Sequence, residues 1–170
     1  MQIPKFMRNI VLTLCATVSI LTTANAQEVH GLIVDVVDGD TLKIINTGQK
    51  IRLIGVDACE KNQKAKTDLG QTVDCGVEPM NALISWTANK EVNCEFTSKD
   101  RYQRLLGICG NSEIPDFSAE LIRQGYAVAY RYKGKVSDQI YEDIEARAKA
   151  NRAGLWSMEF EQPWAYRKSK

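Results

Sequence analysis

The sequence predicts an α+β domain built mainly on a small β-barrel. Three observations carry this. Short Ile- and Val-rich runs separated by tight turns fill residues 31–56, the pattern of a strand meander. Later segments carry apolar residues at helical spacing. A length of 170 residues suits one domain and not two.

The first 26 residues are set apart from that domain. Lys5 and Arg8 precede an apolar run from Ile10 to Leu21, and Ala24-Asn25-Ala26 supplies small residues at a cleavage position. This is the pattern of a secretory leader with a mature start at Gln27, and its apolar run is short for a membrane span. Bulky Leu14 ahead of Cys15 argues against lipidation there. The predicted organisation is a leader over 1–26, the domain over 27–157, and an aromatic and basic tail over 158–170, with no membrane attachment after cleavage. Periplasm and extracellular medium both remain open.

Removing Lys5 and Arg8 from the 22 Lys and Arg leaves 20 against 21 Asp and Glu, a formal charge of −1. Any nucleic acid would then be held by a local patch rather than by a basic domain. Cys59, Cys75, Cys94 and Cys109 remain, an even number in an exported chain, which points to disulfides. With His30 alone and no C-x-x-C, neither a structural zinc site nor a His-activated nucleophile is expected.

The predicted strands are Gly31 to Val37, Thr41 to Ile45 and Lys50 to Val56, joined by Asp38-Gly39-Asp40 and by Asn46-Thr47-Gly48-Gln49. Lys61 to Val73 is polar and aperiodic and is read as an exposed loop. Val77 to Asn89 is a helix with Met80, Leu83, Ile84 and Thr87 on its apolar face. Glu91 to Thr97 and Arg104 to Cys109 form an antiparallel pair. A turn centred on Arg101-Tyr102 puts Cys94 opposite Cys109, close enough to bond, and leaves Cys59 for Cys75. Ser118 to Gln124 and Ser137 to Arg152 are further helices, the second burying Ile140, Ile144 and Ala148. Between them Tyr130-Arg131-Tyr132-Lys133 alternates aromatic and basic residues.

The chemistry concentrates in Val36 to Glu60. Asp38, Asp40 and Asp57 are oxygen donors suited to a hard cation. Arg52 and Arg104 are guanidiniums suited to phosphate, and Glu60 is placed to activate a water. Singly, each has a commonplace reading: a plain turn, a solvated strand arginine, a loop glutamate. Arg52 and Asp57 are also five apart, so strict alternation sends them to opposite faces. They converge only if the backbone is irregular between them, expected around Gly55 to Ala58.

Taken together these segments resemble the staphylococcal-nuclease-like, or thermonuclease, family. The resemblance rests on V-D-G-D-T at 37–41, R-L-I-G-V-D-x-x-E at 52–60, D-R-Y-Q-R at 100–104, L-I-R-Q-G-Y-A at 121–127 with A-Y-R-Y-K after it, and G-L-W-S at 154–157. It implies a five-stranded OB-fold barrel with three helices and a phosphodiesterase that cleaves DNA and RNA using one Ca²⁺. Asp40, Asp57 and the backbone carbonyl of Ala58 match the family's calcium ligands, with Asp38 behind them. Arg52 and Arg104 match its catalytic arginines and Glu60 its general base. Arg101, Tyr102, Tyr130 and Tyr132 fall where the family contacts nucleotides, and packing beside the barrel is an equal reading of the last two. Single-stranded or frayed substrates, little sequence selectivity, 3′-phosphate products and a monomer are expected. The family commonly places proline before the glutamate; Ala58-Cys59 stands here instead, and a Cys59–Cys75 bond would restore the lost rigidity.

Two other classes compete: a non-catalytic OB-type module binding nucleic acid or protein, and an exported domain merely stabilised by Ca²⁺. Neither requires Arg52, Arg104 and Glu60 together.

Overall fold

The computed structural model describes residues 27–170; the leader prediction lies outside the described residues. The chain opens with strands β1 (Gln27–Leu32), β2 (Val34–Asp38), β3 (Thr41–Ile44), β4 (Lys50–Leu53) and β5 (Val56–Ala58). A small hairpin, β6 (Lys64–Lys66) and β7 (Thr72–Asp74), leads into helix α1 (Val77–Thr87). Then come β8 (Val92–Lys99), β9 (Leu105–Gly110), α2 (Phe117–Arg123), β10 (Ala127–Ala129), β11 (Arg131–Tyr132) and β12 (Lys135–Val136). Helix α3 (Gln139–Ala150), a 3₁₀ turn (Gly154–Ser157), β13 (Glu159–Phe160) and α4 (Pro163–Tyr166) complete it.

Six strands form one curled sheet in the order β1-β8-β9-β4-β3-β2, and β5 pairs separately with β10. All neighbours in the large sheet are antiparallel except β4 and β9. The architecture is the expected α+β class with a curled half-barrel sheet, and it has more strands than the five expected and a fourth short helix, α4, beyond the three expected. Leu42, Ile51, Leu53, Val92, Phe117, Leu121 and Ile122 fill the core. Helix α1 packs on β2, α2 on β9, β5 and β10, and α3 on α2 and β10.

The cysteine register holds. Cys94 lies opposite Cys109 and is bonded to it, and Cys59 is bonded to Cys75. A bulge between Phe96 and Ser98 then shifts the pairing by one residue before the turn. Helix starts follow the expected capping chemistry: the Asp116 and Asp138 carboxylates accept from Ala119 N and Ile140 N.

Four expectations need correction. Lys61 to Val73 is not a plain exposed loop: it contains the β6–β7 hairpin, extended by β13, with Gln63 and Ala65 buried. In α1 the buried face is Pro79, Leu83 and Thr87, and Ile84 is exposed. In α3 the buried face is Tyr141, Glu145 and Ala148, while Ile140 is exposed. The irregular backbone is confined to Ile54 and Gly55, because Val56 to Ala58 is regular strand paired with Ala127 to Ala129.

The phase of α3 is set by an ionic contact. Glu145 is 1% exposed, accepts from Ala129 N at 2.9 Å and Lys149 Nζ at 2.8 Å, and pairs with Arg131. Burial opposes its ionisation, but the Arg131 and Lys149 hydrogen bonds outweigh it and hold the carboxyl below its ordinary value. Gly55 has φ +78°, and a Cβ there would overlap the Tyr141 ring.

Breaking a buried ion pair leaves the partner charge uncompensated, so Glu145→Gln should cost about 3–5 kcal/mol in urea unfolding at neutral pH. The carboxylate's contribution is full above its unfolded value of 4.5 and fades as pH falls through its lower folded value. The gap between the two proteins should therefore narrow in acid. Gly55→Ala should lower the melting temperature through overpacking of about 1–3 kcal/mol.

Candidate active site

The turn between β2 and β3 places the first carboxylate. Asp38 Oδ1 accepts the Asp40 N–H at 3.1 Å and fixes the turn. Gly39 is required by space: a Cβ would lie 2.8 Å from Ala58 and Pro79 carbons, so the turn seats directly on β5 and α1. Asp40 is buried; its Oδ2 accepts from Ala58 N at 3.1 Å and its Oδ1 from Thr41 Oγ1 at 3.2 Å. Burial, and then the neighbouring Asp40 charge, push the Asp38 carboxyl above its ordinary value.

The break at Ile54-Gly55 resolves the parity conflict. Arg52, on β4, reaches Asp40 Oδ2 at 2.9 Å and Asp57 Oδ1 at 3.3 Å with the same Nη2. Its Nη1 donates to Leu53 O at 2.9 Å, which anchors the guanidinium. Asp57 has no exposed surface, and burial raises its carboxyl above the ordinary value although Arg167 and Arg52 pull the other way.

Glu60 follows Cys59 and its disulfide, and its backbone N–H donates to Gln63 Oε1 at 3.1 Å. Its side chain is 43% exposed. Across the cleft, Asp100 organises the β8–β9 turn. Its Oδ1 accepts from Tyr102 N at 2.8 Å and Arg104 N at 3.0 Å, and its Oδ2 from Arg104 Nε at 2.7 Å. Burial opposes ionisation of Asp100, but the Arg104 bonds outweigh it and hold the carboxyl below its usual range. Gln49 Nε2 donates to Gln103 O at 2.8 Å and ties the β3–β4 loop to this turn. The Tyr102 ring lies 4.7 Å from the Arg101 guanidinium and 5.7 Å from that of Arg104.

A cleft of about 810 Å³ joins these groups; Asp38, Asp40, Arg52, Glu60, Arg101, Tyr102, Arg104 and Tyr130 all line it. Asp57 lies beneath Arg52. Tyr132 is placed differently from its expectation: it stands 64% exposed near the β11–β12 turn, beside Lys133, and does not line the cleft.

The sequence reading missed Arg167. Its Nη2 lies 2.9 and 2.8 Å from the two oxygens of Asp57, and its Nη1 lies 2.9 Å from Glu60 Oε1. After the opposing effect of burial, hydrogen bonds to Asp57 raise the guanidinium pKa further. The basic tail was visible in the sequence, but nothing in its spacing connects it to residues more than a hundred positions earlier.

The donor set is all oxygen and negatively charged, which fits a hard divalent cation. Arg52 and Arg167 already bring positive charge onto the same oxygens. Among the described residues no group of three His, Cys, Asp or Glu side chains stands close enough to hold a metal ion. Asp40 and Asp57 would therefore be supplemented by backbone carbonyl and water, as Ca²⁺ with its six to eight oxygen ligands allows.

Residues 50–158 match the family model described as "Staphylococcal nuclease homologue". Succinoglycan biosynthesis protein ExoI of Rhizobium meliloti (strain 1021) is 35% identical over 133 residues, covering 78% of this chain and 67% of that protein. Micrococcal nuclease of Shigella flexneri is 29% identical over 165 residues, covering 91% and 89%. An uncharacterized endonuclease of Haemophilus influenzae is 30% identical over 154 residues, covering 88% and 79%. With the family model spanning well over half of its residues, and the half-barrel carrying Asp40, Arg52, Glu60 and Arg104 around one cleft with Asp57 beneath Arg52, the chain belongs to the staphylococcal nuclease family.

Proposed function

We propose that this protein is a calcium-dependent endonuclease that hydrolyses phosphodiester bonds of DNA and RNA with little sequence selectivity. One observation supports the reading: Arg52 joins two buried carboxylates, Asp40 from the β2–β3 turn and Asp57 from β5, at the edge of a cleft that Glu60 and Arg104 also line. A binding module has no need for that combination. Names such as micrococcal nuclease among the relatives support the same activity.

Asp40, Asp57 and the Ala58 carbonyl would hold one Ca²⁺, which when bound supplies Lewis-acid contact to a phosphate oxygen. Glu60 accepts the proton of the attacking water. Arg52 and Arg104 neutralise charge that grows on the equatorial phosphate oxygens. Both arginines are assigned charge stabilisation and not proton transfer, because a guanidinium keeps its protons. The 5′-oxygen departs and the product keeps a 3′-phosphate. Tyr102 and Tyr130 offer aromatic surface for bases, which favours single-stranded or frayed substrate. The leader-like first 26 residues support export to the periplasm or beyond, and the protein acts as a monomer.

A DNA zymogram in Ca²⁺ and then in chelator separates the classes. Clearing in Ca²⁺ alone is expected; retention of DNA without cleavage in either condition would instead mark a binding module. Glu60→Ala, Arg52→Ala and Arg104→Ala should each lower kcat by about 10²–10⁴-fold, as loss of a general base or a charge-stabilising donor does. Unchanged circular dichroism must accompany the loss, and full turnover in Arg104→Ala would remove its assigned role. Reduction of Cys59–Cys75 should weaken both Ca²⁺ binding and turnover, because Glu60 then hangs from an untied segment; identical values with and without reductant would dismiss that coupling.

A further inference from the structure

Arg167 lies beyond the stretch that matches the family model, yet it is part of the carboxylate cluster. Its position is built by contacts that do not involve its own side chain. Gln63 Nε2 donates to Glu161 O at 2.6 Å, Phe160 pairs with Ala65, and the Arg131 guanidinium lies 5.3 Å from the Trp164 ring. Pro163 is buried at the start of α4. The segment is therefore docked before Arg167 is reached.

The contacts of Arg167 are specific to its geometry. One nitrogen spans both oxygens of Asp57 and the other takes one oxygen of Glu60. A guanidinium, with donors diverging in one plane, can hold two carboxylates at once; an ammonium reaches them only as a point charge. Both oxygens of Asp57 are thereby taken: Oδ1 faces Arg52 and Arg167, and Oδ2 faces Arg167. Oδ1 already meets two guanidiniums and can enter the coordination of a divalent ion only by giving up an arginine, and an ion at Oδ2 would share that oxygen with Arg167 and meet its like charge. Charge points the same way. Asp40, Asp57 and Glu60 bring three negative charges, and Arg52 and Arg167 return two positive. A divalent ion together with one phosphodiester would bring the set to neutrality, provided the arginines turn toward the phosphate.

We propose that Arg167 is a positioning residue of this centre: it holds Asp57 and Glu60 as an internal cation, and it competes with the divalent ion for Asp57. The identity of the ion and of Glu60 as base rests on the nuclease reading above; the competition itself does not. Two opposite effects follow from one side chain. The bridge keeps Glu60 oriented through Oε1 and leaves Oε2 open, which favours turnover. The same bridge weakens the ion's hold on Asp57.

The test is calorimetric titration of Ca²⁺ into the full protein without nucleic acid, for the parent, Arg167→Gln and Arg167→Lys. Arg167→Gln should bind Ca²⁺ about tenfold more tightly, within the range of ordinary coupling between sites, and Arg167→Lys should fall between. At saturating Ca²⁺, kcat should move the other way and fall in both variants, with the circular dichroism spectrum unchanged. A purely structural role for Arg167 would weaken binding and turnover together. Equal or weaker Ca²⁺ affinity in Arg167→Gln overturns the proposal, as does the absence of Ca²⁺ binding in all three proteins. Tighter Ca²⁺ in Arg167→Gln, with no cleavage of DNA by the parent, leaves the competition standing and sinks the nuclease reading. Cleavage by the parent with equal affinities does the reverse.

Discussion

A carboxylate with no exposed surface must be compensated where it stands, and Asp57 is such a carboxylate. Much of the surrounding structure is explained by that need. Arg52 reaches it because β4 stops at Leu53 and the chain turns through Gly55 before β5 begins. Tyr141 occupies the space that a side chain at Gly55 would need, and its hydroxyl is in turn held by Asp116 Oδ2 at 2.9 Å. The cap of α2, the ring of α3 and the break between two strands thus serve one placement. Asp40 approaches from the other side because Gly39 allows its turn to rest on β5.

The two disulfides brace the two banks of the cleft. Cys94–Cys109 lies in the sheet below the turn that carries Arg104, and Asp100 then fixes that turn with three accepted hydrogen bonds. Cys59–Cys75 joins the end of β5 to the entry of α1, one residue before Glu60. That covalent link spans sixteen residues of chain. Buried apolar surface around that link, from Ala65 and Leu155, gives it a small core of its own.

The barrel and the first ring of the site were legible because their signals are local or pairwise. Strand alternation, the Asp-Gly-Asp turn, the hairpin register through Cys94 and Cys109, and the five-residue conflict between Arg52 and Asp57 can each be read from short stretches. What was not legible depends on distant partners. The β6 strand shows only Ala65 between two lysines, too little alternation to declare itself until Phe160 pairs beside it. Ile140 looks like a core residue of α3, but Glu145 must face Arg131 and Ala129, and this rotates the helix so that Tyr141 goes in. Tyr132 shares its motif with Tyr130, but a two-residue strand turns it away from the cleft. Arg167 had no local signature at all.

The strand β13 has a consequence for how the molecule opens. It hydrogen-bonds to β6, whose hairpin is linked through the 59–75 disulfide to β5, so the segment carrying Arg167 is laced to the floor of the cleft. A two-residue strand pairing standing by itself would open readily. Here the paired amides of residues 159–160 share a ladder with those of the hairpin, and release of one strand exposes the other. The carboxylate cluster and the arginine that closes it are thus tied together by a strand ladder and a disulfide as well as by their own ion pairs.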